Sequence, residues 1–328
     1  MRERALELLT SAGFPRPSRE DREPSVLKIR DLLENLGDVY VLNRTLIVKT
    51  VRYRPTSSRR KKAYVLTKSW TDELVFYRNH AQRLLAPPFS LRLPQPLLLR
   101  EDQRGFELGL SVLRGHPFPF GNDELRAALD WLAGFHAATW QSSAVADGEA
   151  ATALENATTC FKEAGGYWSL DAKHEEHTAM PDGQLKHGAR AFDLWLRAQP
   201  AQACLQGDAK AGNFMFVHGR ELFVSGLDFQ YAGVSHVPEL LAHYHFALTS
   251  ELGKRMLEPP SLEHLNVSLV VASADLWRFF QNTQNEGHGL ALRTKSLLDS
   301  LDGGHMLESE GAYVIALFAL HPTPQRLT

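Results

Sequence analysis

The hydrophobic period of this chain changes once, near residue 113, and reverts briefly near its middle; that pattern limits the folds open to it. Before residue 113 the apolar runs are short and β-branched. Ser25–Arg30 and Val39–Leu42 read as strands, and Thr45–Val51 is the clearest of them. Asn43-Arg44 supplies a tight turn between the last two, and Phe106–Leu113 adds another strand. A single packed helix is predicted over Trp70–Leu85, with Leu74, Tyr77 and Ala81 on one side and Pro87-Pro88 beyond its end. A short amphipathic helix over residues 4–12, ended near Gly13, and a connector from Pro15 to Pro24 precede all of this.

After residue 113 the period is helical. Glu124–Thr139 places Leu125, Leu129, Leu132 and Phe135 on one face, with Asn122 or Asp123 as the cap. His187–Ala198, Pro238–Leu252, Leu262–Thr283 and Gly311–Leu320 are further helices by the same test. One segment reverts to strands: Ala203–Leu205, Asn213–Val217 and Glu221–Asp228, with His218-Gly219 as a hairpin turn. A β-rich lobe over 1–112, including a helical extension over 1–24, and a mainly helical lobe over 113–328 with an embedded hairpin make an α+β chain.

Charge separates along the same boundary. Residues 1–112 hold 21 Lys and Arg against 13 Asp and Glu, a net of +8, while 113–328 hold 15 against 25, a net of −10. A polyanion gripped by the first half and a cation held by the second is one way to use such a molecule. The pattern argues against nucleic acid as the main partner, because the basic half lacks the interleaved aromatic residues of a single-strand platform. No apolar run reaches the roughly 18 residues of a membrane span, and the first residues carry no secretory signal. With only Cys160 and Cys204 there is no disulfide framework, so a reducing, cytoplasmic setting is expected.

The embedded hairpin gathers the chemistry. Folded back at Gly219, its residues pair when their numbers sum to about 438, which sets Asn213 across from Ser225 with Asp228 just beyond. Asp208, in the preceding loop, reaches the same open end. Asn213 and Asp228 are hard oxygen donors of the kind magnesium accepts alongside nucleotide phosphates. Asp208 is then left to face a substrate hydroxyl, orient it and accept its proton, the division of labour that phosphoryl transfer needs.

Gln206-Gly207-Asp208-Ala209-Lys210-Ala211-Gly212-Asn213 resembles the catalytic loop of the aminoglycoside phosphotransferase and choline kinase superfamily, and Leu227-Asp228-Phe229-Gln230 resembles its metal-binding strand end. The Asp-Phe-Gln variant, the Gly-Asp-Ala-Lys start, Gly166–Asp171 and Trp131–His136 look most like the ecdysteroid-kinase-like branch. The likeness covers roughly residues 30 to 250. It implies a bilobal protein-kinase-like fold with ATP and magnesium as cofactors, the first lobe holding the nucleotide and the second the acceptor, a small molecule bearing a hydroxyl. By that likeness Asp208 matches the catalytic base and Asn213 and Asp228 the magnesium ligands. Lys49 matches the phosphate-holding lysine and Glu73 its partner. A lysine fixed by a carboxylate meets the phosphates without being ordered at the moment of reaction.

The chain departs from the family pattern at three places. Gln206 stands for the usual His, and Ser111-Val112 for an acidic hinge. Glu34–Asp38 offers Gly37 alone where a glycine-richer phosphate loop is expected. These departures leave open a kinase-like binding protein with impaired catalysis. Glu239, at the start of a helix, would border the substrate region, and Trp168 and Tyr231 would line an acceptor pocket. His243 and His245, two apart on a helix, point to different sides and do not make a zinc site with His236. Arg59–Lys62 reads as a solvated basic loop, and Cys204 as a small buried residue.

Overall fold

The structure is a computed structural model. It describes residues 2–14, 25–32, 36–53, 70–71, 73–116, 121–142, 174–179, 186, 189–190, 201–203, 213–217, 223–226, 238–262 and 265. The chain divides into two compact units, 1–127 with 211–230, and 128–210 with 231–328.

The first unit is built on five antiparallel strands: β1 (Val26–Asp31), β2 (Gly37–Leu42), β3 (Leu46–Arg52), β4 (Pro96–Asp102) and β5 (Gly105–Ser111), in the order β1-β2-β3-β5-β4. Strand β3 is central, as its β-branched, apolar sequence requires. Asn43 and Arg44 both take positive φ, +49° and +56°. That geometry matches the twist of the flanking strands, and the Thr45 N–H closes the turn on the Leu42 carbonyl at 3.0 Å. The Asn43 side chain also accepts the Ser25 N–H at 2.8 Å, which fixes the entry to β1.

Side chains alternate across the sheet, so β3 faces two environments. Leu46 and Val48 pack with Leu42 and Leu98 against Ala5, Leu8 and Leu9 of helix α1 (Arg2–Ser11). Helix α1 ends as the sequence predicts. Gly13, at φ +84°, donates to the Thr10 carbonyl at 3.1 Å and Phe14 to Leu9 at 3.0 Å, so a left-handed residue closes the last turn. Arg4 pairs with Glu107 of β5, and Arg100 of β4 with Glu7 at 2.8 Å, which staples the helix to the sheet.

Lys49 occupies the other face of β3, and a helix over residues 73–79, α2, meets it there; residues 70 and 71 are helical as well. The expected helix over Trp70–Leu85 breaks at His80, which has φ −121° and caps the short helix α3 (Ala81–Leu85). Leu74, Tyr77 and Ala81 are buried, as their spacing predicts. A five-stranded antiparallel sheet whose central lysine is held by a helix carboxylate is the α+β, kinase-like lobe expected from the sequence.

Strand β4 is absent from the sequence reading. Its Pro-Leu-Leu-Leu run has no alternation and suits a helix as well as a strand; tertiary pairing with β5 decides it. Helix α4 (Asn122–Ala138) is capped not by Asn122 or Asp123 but by Gly121. The Gly121 carbonyl accepts the Leu125 N–H at 3.1 Å, and the Glu124 carboxylate accepts the Gly121 N–H at 2.9 Å, the reciprocal half of a capping box.

In the second unit the helix Pro238–Gly253 packs Leu248 and Leu252 against Ala133, Ala137 and Trp140. Its His243 reaches Asp130 at 2.8 Å and its His245 the Pro260 carbonyl at 3.0 Å, so the two rings do point to different sides. Ala201–Gln202 pair with Gln141–Ser142; Cys204 and Leu205 of the strand expected at Ala203–Leu205 lie outside the described residues. His174–Ala179 is a further short helix. Among the described residues no helix is long and apolar enough to cross a membrane. The helix expected over Gly311–Leu320, the Arg59–Lys62 run and Cys204 lie outside the described residues.

Candidate functional site

Lys49 and Glu73 form a buried ion pair. The Lys49 Nζ lies 2.5 Å from Glu73 Oε2, and the residues are 6% and 4% exposed. Burial on this scale carries a desolvation cost of several kcal/mol per ion, offset only when geometry is good and partners are complete. The ammonium also stands 5.7 Å from the ring centre of Trp70, itself buried. Helix α2 is fastened a second time, by Arg78 to Glu101 of β4 at 2.8 Å. Tyr53 donates to the same carboxylate; burial, reinforced by that bond, pushes its hydroxyl up to about 12.

The pairing register sets an apolar strip beside Lys49. Val39 and Leu108 flank it directly, while Leu27, Val41, Ile47 and Leu110 form the next row on the same face. Leu27 is 66% exposed. Sequence reasoning missed this strip; the signal was there in the period of two along β2 and β3, but which face held the lysine depends on a register only pairing fixes.

Asn213 is buried, 7% exposed, immediately before β8 (Phe214–Val217), which pairs with β9 (Phe223–Gly226). The observed pairs, Phe214 with Gly226 and Met215 with Ser225, have numbers summing to 440, two more than the sequence reading set. Met215, not Asn213, therefore lies across from Ser225, and the last described pair is Val217 with Phe223. The hairpin is held to the rest of its unit by His116, whose N–H and carbonyl exchange 3.0 Å bonds with Phe216. Gly115 makes this approach possible. It has φ +122°, and a Cβ there would lie 2.3 Å from the Phe216 carbonyl oxygen.

Gly37 is buried at the start of β2, where a Cβ would meet the Thr50 carbonyl oxygen at 1.8 Å, so strand packing alone accounts for the glycine. Ser111 ends β5, with its N–H on the Gln95 carbonyl at 2.9 Å and its hydroxyl accepting the Gln95 N–H at 2.8 Å. The Val112 N–H is taken by the Thr45 carbonyl at 3.0 Å. Asp208, Asp228, Trp168 and Tyr231 lie outside the described residues, as does the side chain of Glu239, whose backbone belongs to the Pro238–Gly253 helix. Among the described residues no cluster of His, Cys, Asp and Glu is suited to a metal ion. A cavity of about 980 Å³, lined among others by Arg4, Tyr40, Thr50, Arg100 and Glu107, does not include Lys49.

In the second unit His136 of α4 and Tyr244 share a hydrogen bond of 2.7 Å between Nδ1 and the hydroxyl, with their rings edge to face. Burial lowers His136 to about 4 and raises Tyr244. His136 is therefore a neutral, structural imidazole near pH 7.

No protein-family model matches the sequence, and no curated protein matches it. Among solved structures it is similar to a mutant aminoglycoside 2′-phosphotransferase-IIIa in complex with GDP, at 12% identity and a TM-score of 0.48, with 92% of this chain and 99% of that chain covered. A macrolide 2′-phosphotransferase from Brachybacterium faecium aligns over 90% of this chain and 98% of its own, at 11% identity and a TM-score of 0.44. A microcompartment-associated aminopropanol kinase aligns over 94% and 99%, at 12% identity and 0.42.

Proposed function

We propose that the protein is an ATP- and magnesium-dependent phosphotransferase that moves the γ-phosphoryl group to a hydroxyl of a small molecule. The observation that carries this reading is the buried Lys49–Glu73 pair on the central strand, beside an apolar strip with an exposed margin. A charged pair replaces a well-packed apolar pair at a cost to stability or at no gain, so its presence asks for a use. A lysine pre-set by Glu73 would meet the α- and β-phosphates, and the strip through Val41 and Ile47 would take the flat face of a base. With the Ser111 and Val112 N–H groups engaged, a base edge would be met at 113–114 rather than at Ser111.

Asp208 would accept the acceptor's hydroxyl proton as its oxygen attacks the γ-phosphorus and the bond to the ADP oxygen breaks. Asn213 and Asp228 would hold the metal. Magnesium, when bound, would screen the phosphates. Glu239, Tyr231 and Trp168 would contact the acceptor. A place in the ecdysteroid-kinase-like branch rests on the sequence motifs alone.

The test is transfer of label from γ-labelled ATP to a panel of amino alcohols, sugars and sterols, with and without magnesium. Magnesium-dependent transfer that Asp208→Ala abolishes, while nucleotide binding persists, is the expected result. Nucleotide binding with no transfer to any acceptor would favour the binding-protein reading, to which the packed Gly37 and the engaged Ser111 and Val112 amides also lend support.

A further inference from the structure

We propose that Trp70 is a positioning residue for Lys49, so that the lysine is braced from two sides, by the indole of Trp70 and by the carboxylate of Glu73. The proposal rests on the phosphotransferase reading for its purpose and on independent geometry for its substance. Trp70 and Glu73, three apart in sequence and both helical, reach the same ammonium on β3. The carboxylate lies 2.5 Å from the Lys49 Nζ and the indole centre 5.7 Å from it. Trp70 is 2% exposed, so the ring meets the ammonium away from water.

Each brace does something the other cannot. The carboxylate attracts the ammonium strongly, and on its own would draw Lys49 into its helix and away from any anionic ligand. An indole face attracts the same charge through its quadrupole, without offering an acceptor that competes with phosphate oxygens for the N–H donors. It also fills the space into which a four-carbon side chain would otherwise turn. The side chain of a free lysine samples many rotamers, and fixing it before ligand arrives removes an ordering cost from binding. Among aromatic residues Trp has the strongest face for a cation, Phe a weaker one, and Leu of comparable apolar character none.

The experiment compares wild-type protein with Trp70→Phe and Trp70→Leu, using MgATP itself as the probe. Trp70→Leu is expected to raise the MgATP dissociation constant by about five- to thirtyfold, from the upper end of an exposed cation–π contact to a desolvated one, with Trp70→Phe between the two. Thermal midpoints without ligand should fall in both variants and further in Trp70→Leu, which removes more bulk, so the MgATP dissociation constant and not the midpoint is the readout. Trp70→Met replaces Trp70→Leu should the latter not fold. A Leu or Met variant that binds MgATP within twofold of wild type overturns the proposal.

A second arm does not depend on nucleotide. In a double-mutant cycle of folding stability with Lys49→Met, Trp70 and Lys49 should show a coupling of at least about fivefold in the folding equilibrium. Coupling below twofold overturns the brace. If wild-type protein binds no MgATP, the phosphotransferase reading fails, and the cycle alone decides for or against the contact.

Discussion

The Lys49 ammonium and the Glu73 carboxylate meet at 2.5 Å across 24 residues of sequence, with both side chains buried. Removing one partner strands the other charge. Glu73→Ala should therefore lower unfolding free energy by about 3–5 kcal/mol, whereas Lys49→Met with Glu73→Leu together should recover most of that loss. Denaturant titrations of Glu73→Ala, of Lys49→Met and Glu73→Leu singly, and of the double variant check this. Losses that simply add in the double variant would show that the pair is not coupled.

Gly115 allows the segment after β5 to run close beside the hairpin. Gly115→Ala introduces a Cβ 2.3 Å from the Phe216 carbonyl at a backbone angle of +122°, so something must move. A loss of about 3 kcal/mol is expected, with faster hydrogen exchange at the Phe216 and His116 amides. Unchanged exchange at those two amides would mean the bridge does not depend on the glycine.

His136 ties stability to pH. Its folded value, about 4, lies below the 6.5 of the free side chain because it is buried. The unfolded chain therefore binds the extra proton first, and stability is complete above about pH 6.5 and falls as pH drops toward 4. The loss across that window is about 3 kcal/mol for this one group. His136→Phe should flatten the acid limb of a plot of midpoint against pH; an unaltered limb would remove His136 from the account.

Helix α1 is part of the first unit's core. Leu8, which is 6% exposed, packs in the cluster with Leu46 and Val48. Leu8→Ala should lower stability by about 2–4 kcal/mol, read in a denaturant titration. A loss below 1 kcal/mol would mark α1 as a loosely attached appendage.

Much of the first unit was legible in the sequence because its signals are local. Asn43-Arg44 sits in a turn that demands positive φ, Thr45–Val51 has the composition of a central strand, and Gly13 closes α1. Lys49 and Glu73 were found as a pair through the motif likeness, and the structure brings them together. What sequence could not supply were relations between distant segments. The Leu97–Leu99 run is a strand only because β5 lies beside it, and Gly115 is needed only because Phe216 passes close by. The hairpin register differed by two because the turn residues do not fix where its strands stop pairing. At Gly121 the cap was missed because glycine has no side chain to announce the role, and the answering Glu124 is common at that position anyway.

The central claim, that Lys49 is set to hold the phosphates of a bound nucleotide, is tested most directly by the thermal midpoint with ATP, with and without magnesium. Wild-type protein should be stabilised by MgATP, by about 2.7 kcal/mol at a hundredfold excess over the dissociation constant. The Lys49→Met, Glu73→Leu double variant, folded but without the lysine, should lose that gain. An equal gain in the double variant, or none in wild type, would contradict the account.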